Sequence, residues 1–149
     1  MSKSLSSLNS KTPDGYRPGG KSYKIMVVDD KEFHRKQIVQ ILESEEYEIV
    51  GAAENGRDAL SQLKKLYEND KQVDLMTLTL DMPVLDGYAT MCELQSLPQK
   101  PLVAFISEDT SKGVMQDLVK MGIVDFILKP INRRTLLERV KAVLVKHNV

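Results

Sequence analysis

The stretch Val73-Asp-Leu-Met-Thr-Leu-Thr-Leu-Asp-Met-Pro-Val-Leu-Asp-Gly87 decides the fold. It opens with an apolar run long enough for one buried strand. It then turns through Asp81-Met82-Pro83 and closes on Asp86-Gly87. Three distant pieces have the same form, a short apolar run that ends in polar residues. Lys24-Ile-Met-Val-Val28 ends in Asp29-Asp30, Leu102-Val-Ala-Phe-Ile106 in Ser107, and Asp125-Phe-Ile-Leu128 in Lys129-Pro130. Short runs flanked by turn residues read as strands buried on both faces.

Between these runs the apolar residues recur at helical spacing. Phe33, Ile38, Ile41 and Leu42 fall on one side of a helix ending near Ser44, with Asp30 as a possible cap. Glu48–Ala53 is expected to be a strand, and Gly56–Glu68 a helix with Ala59, Leu63, Leu66 and Tyr67 inward. Helices are also expected over Tyr88–Leu97, stopped by Pro98, and over Thr110–Met121, ended by Gly122. Asn132 caps a last helix whose inner face carries Leu136, Val140, Val143 and Leu144. Strands alternating with helices imply right-handed βαβ units. The expectation is an α/β fold of three layers, αβα, with a five-stranded parallel sheet in the flavodoxin-like order 2-1-3-4-5. In such sheets ligands bind beyond the C-terminal strand ends, near the switch point. Asp29, Asp30, Thr79, Ser107 and Lys129 would all meet there.

The bulk numbers bound the rest. The 149 residues suit one domain, and 42% apolar residues supply a core. Net charge is zero but uneven: Lys3, Lys11, Arg17, Lys21 and Lys24 face only Asp14 near the N-terminus. The remainder is net acidic, so no nucleic-acid footprint is expected. Residues 1–22 are polar and read as a flexible basic tail, with the domain proper over 23–149. The single Cys92 excludes an internal disulfide and, in an apolar helical pattern, reads as a buried inert thiol. No run is long enough to span a membrane and no secretory signal is evident, so a cytoplasmic location is expected.

The four pieces, in this order and spacing, resemble the CheY-like receiver domain of two-component response regulators over residues 24–146. The resemblance implies roles residue by residue. Asp30 would bind Mg²⁺ directly, Asp29 through water, and Asp81 through its backbone carbonyl. Ser107 would hydrogen-bond a phosphoryl oxygen and change rotamer with it. Lys129 would pair with the acceptor, the Lys129-Pro130 bond would be cis, and the Phe126 ring would switch between inward and outward positions. The chain departs from the family at two places. The family's acceptor aspartate lies four residues before the proline of the Met-Pro pair, where this chain has Thr79. The family prefers a small residue after Ser107, where this chain has Glu108.

A carboxylate is already ionised at neutral pH and attacks phosphorus directly, whereas a threonine hydroxyl needs a base. The expectation is therefore a receiver that is phosphorylation-defective or phosphorylation-independent, with weakened Mg²⁺ binding and with Lys129 free to turn toward Asp29 or Asp30. Asp81 is a poor substitute acceptor because the chain is turning away there. The resemblance further implies a stand-alone, chemotaxis-like receiver, a monomer or weak dimer. It would meet a sensor histidine kinase and a downstream protein such as a motor-switch component through residues 110–149. The retained Asp29, Asp30, Ser107 and Lys129 fit both a receiver that binds its partner constitutively and one held off. The alternative is a small-molecule-binding or phosphatase-like enzyme on the same fold. Asp29-Asp30 lacks the Asp-x-Asp spacing of such phosphatases, and the acidic loop after the first strand is the wrong charge for a phosphate cradle.

Overall fold

A computed structural model describes residues 12–108 and 112–149. Five strands, β1 (Lys24–Val28), β2 (Glu48–Ala53), β3 (Leu75–Leu78), β4 (Leu102–Ser107) and β5 (Asp125–Leu128), form one parallel sheet in the order β2-β1-β3-β4-β5. Five helices alternate with them: α1 (Glu32–Glu43), α2 (Gly56–Glu68), α3 (Gly87–Leu94), α4 (Lys112–Lys120) and α5 (Arg133–Lys146). The expected start of α4 at Thr110 lies outside the described residues. Where α3 was expected to run to Leu97, it ends at Leu94.

The alternation of side chains along each strand builds two cores. Ile25 and Val27 of β1 and Ala104 and Ile106 of β4 pack with Ile38, Leu42, Leu136 and Val140, so α1 and α5 cover one face. Met26, Val28, Val103 and Phe105 pack with Ala59, Leu63, Met91, Leu94 and Leu118, so α2, α3 and α4 cover the other. Asn55, Asp86 and Asn132 cap α2, α3 and α5 by accepting from a backbone N–H three residues on. Asp30 does not cap α1. The helix begins at Glu32, so Lys31 stands at the capping position, and it makes no side-chain cap bond.

Three other expectations are corrected. Phe33 is not on the inner face of α1: it lies in the first turn, ahead of the buried Ile38, Ile41 and Leu42, and is 75% exposed. Cys92 is exposed on α3, its Sγ against Met121 Sδ, because the helix presents Met91 and Leu94 to the core instead. The flexible-tail expectation fails for residues 12–22. Residues 1–11 lie outside the described residues, but 12–22 dock on the end of the sheet opposite the strand C-termini. Gly15 N–H donates to Glu45 O and Tyr23 N–H to Gly15 O, both at 2.7 Å. Arg17 pairs with Asp74 and stacks over the Tyr23 ring, and Asp14 pairs with Lys141. These few charged and aromatic contacts hold a segment with little apolar content.

Candidate functional site

Backbone hydrogen bonds draw the C-terminal strand ends together. Asp29 N–H donates to Ala53 O, Thr79 N–H to Val28 O, and Lys129 N–H to Ser107 O. Asp29, Thr79 and Ser107 are buried, which is unusual for an acid at a strand end and places all three at the floor of one cleft. The Lys129-Pro130 peptide bond is cis.

Lys129 Nζ lies 2.8 Å from Asp29 Oδ2, and both side chains are at least 96% buried, with exposures of 4% and 1%. The other Asp29 oxygen accepts the Lys31 N–H at 2.9 Å. Both carboxylate oxygens of Asp29 are thus engaged. Lys129 Nζ also lies 2.7 Å from His34 Nδ1. Sequence reasoning passed over His34 because it is not at a strand end. Its signal was its place in the first turn of α1, where side chains lean back toward the helix N-terminus and so over the end of β1. Arg35 fixes that turn by donating from Nη1 to Asp29 O.

Asp30 differs from its neighbour. Its Oδ1 is buried and has no hydrogen-bond partner. An orphaned carboxylate oxygen at the cleft fits a cation or its waters. The fit is reduced elsewhere: no group of three or more His, Cys, Asp or Glu side chains arranged to hold a metal occurs among the described residues. Asp81 is exposed, and its side chain does not join the buried groups.

Ser107 Oγ accepts the Leu80 N–H at 3.3 Å, which ties the end of β4 to the residue after Thr79. Phe126 is half-buried and stacked on Phe105, with ring centroids 5.9 Å apart. At the rim, Lys31 Nζ is 3.2 Å from Glu108 Oε1, so a salt bridge spans the cleft mouth. The hydrogen bond from Lys31 holds the Glu108 carboxyl below its ordinary range. The same contact raises Lys31. Between β3 and α3, Leu85 N–H donates to Pro83 O around Val84, which has φ +68° and is 78% exposed. Such a conformation is costly for a β-branched residue, and it aims an apolar side chain at solvent beside the cleft.

Gly87 closes the floor. A Cβ there would stand 2.3 Å from Thr79 O and 2.8 Å from the Phe105 ring. Gly87→Ala is therefore expected to cost about 1–3 kcal/mol through displaced β3 backbone. A urea unfolding midpoint unchanged from the parent would contradict this close approach.

The chain matches the response regulator receiver domain over residues 25–141. It is 34% identical to the chemotaxis protein CheY of Treponema pallidum, over 92% of this chain and 93% of that protein. It is 42% identical to a protein-glutamate methylesterase/protein-glutamine glutaminase of Halalkalibacterium halodurans over 83% of this chain, but spans only 35% of that enzyme. Among solved structures it is similar to the CheX-CheY-BeF3-Mg complex from Borrelia burgdorferi. The TM-score is 0.82 at 30% identity, covering 90% of this chain and 98% of the other.

Proposed function

The chain belongs to the CheY-like response regulator receiver family of two-component signalling, and from that premise we propose that it signals by protein–protein contact without carrying a phosphoryl group. The observation that supports this reading is the state of Lys129. The buried ammonium has no carboxylate at position 79 to meet and is engaged by Asp29 and His34 instead. Thr79 is buried at the cleft floor, and among the described residues no histidine or carboxylate hydrogen-bonds its hydroxyl to take the proton. At the rim, Glu108 is paired with Lys31 where the family has a small residue.

Mg²⁺, when bound, would neutralise the acids and orient anionic oxygens. Asp30 would hold it through its free Oδ1, with Asp29 acting through water and Asp81 through its carbonyl. The affinity is weak because Asp29 is committed to Lys129 and residue 79 brings no charge.

The contact surface is the face formed by α4, β5 and α5. Val119 and Leu128 are exposed there at 60% and 58%, and Phe126 lies beside them in β5. The occupants are a histidine kinase and a downstream target of the chemotaxis class, such as a motor-switch component. The test is direct. Incubated with acetyl phosphate and Mg²⁺, the chain should show no added mass by intact-mass spectrometry. A stable adduct on Thr79 or Asp81 would overturn the reading.

A further inference from the structure

We propose that His34 is a positioning residue that takes the place of the missing carboxylate as the second acceptor of Lys129. The inference deepens the phosphorylation-independent reading and rests on it. An ammonium has three N–H donors and no acceptor, so every close partner of a buried lysine must offer a lone pair. Asp29 Oδ2 offers one at 2.8 Å. The ring atom 2.7 Å from Nζ is Nδ1; toward a charged ammonium it must offer its lone pair, which assigns the ring proton to Nε2. A half-buried histidine that merely filled space would have no reason to present this nitrogen to a cation.

The consequence is mechanical. Lys129 is tied through its side chain to β1 and α1, and through its N–H to Ser107 O at the end of β4. Ser107 in turn accepts from Leu80, next to Thr79. The strand ends of the cleft form one connected set whose lysine already has two acceptors. His34 thereby holds the cleft in a single arrangement that needs no anion at residue 79.

Nuclear magnetic resonance of the full chain tests this. Two-bond nitrogen–proton correlations are expected to show His34 as the Nε2–H tautomer, and the Lys129 ammonium is expected to give a resolved, slowly exchanging signal. His34→Gln retains an acceptor oxygen and should keep that signal. His34→Leu should speed its exchange with water by about tenfold or more, as loss of a hydrogen bond to a charged group implies. An Nδ1–H tautomer in the parent chain would overturn the proposal. So would unchanged exchange in His34→Leu, or equal loss of the signal in both variants. The mass test of phosphorylation is independent of all three readouts, so the failure of either idea is recognised separately.

Discussion

Thr79→Asp is expected to turn a chain that gains no mass from acetyl phosphate into one that gains a single phosphoryl group in the presence of Mg²⁺. The step is a transfer: a carboxylate oxygen attacks phosphorus, the bond to the acetyl oxygen breaks, and acetate leaves. A carboxylate enters this reaction without losing a proton, which the parent hydroxyl would have to do. The new charge would sit beside Asp30, whose Oδ1 is buried and unpartnered. Mg²⁺ affinity should rise by at least about tenfold, since one further carboxylate near a divalent cation is worth more than about 1.4 kcal/mol even at high effective dielectric. Titration by calorimetry gives that number, and intact mass gives the adduct. Glu108 is expected to slow the reaction. Its carboxylate lies across the entrance on Lys31, so Thr79→Asp combined with Glu108→Ala should label faster than Thr79→Asp alone. If neither variant takes the group, the substituted acceptor is not what keeps the cleft from phosphorylation.

The relation between pattern and structure differs from residue to residue, for physical reasons. The parallel sheet was legible because the inner strands β1, β3 and β4 are buried on both faces, and a parallel sheet between helices covers both. Asp29, Thr79, Ser107 and Lys129 were placed correctly at the strand ends because strand ends are fixed by where apolar runs stop. Side-chain partners were not fixed in that way. Asp29 and Asp30 look alike in sequence, yet one is doubly bonded and the other has an orphaned oxygen. His34 was missed because it lies on α1 and not at a strand end, and its contact with Lys129 joins residues far apart in sequence. Phe33 was misplaced because spacing alone does not say where the first turn begins. Residues 12–22 were misread because docking there uses a guanidinium, a tyrosine ring and a few backbone bonds, none of which gives a periodic signal.

Lys129→Met is expected to destabilise the domain by about 3–5 kcal/mol, the range for removing one partner of a buried ion pair. The side chain is nearly isosteric, so the loss is electrostatic rather than a cavity. What remains is the Asp29 carboxylate, its side chain 1% exposed, with the Lys31 N–H as its one donor among the described residues. Asp29→Asn in the same background should restore a large part of the loss, because the charge that lacks a partner is then gone. Asp29→Asn alone leaves the ammonium on an amide oxygen and on His34 Nδ1, so it should cost less than Lys129→Met. Urea denaturation of the four chains closes a double-mutant cycle whose interaction energy isolates the pair. A coupling near zero would mean that water reaches the two groups and that Lys129 does not depend on Asp29. A strong coupling that weakens when His34→Leu is added would mean that the histidine holds the ammonium where Asp29 meets it. In that case the stability of this receiver depends on one lysine held by both Asp29 and His34.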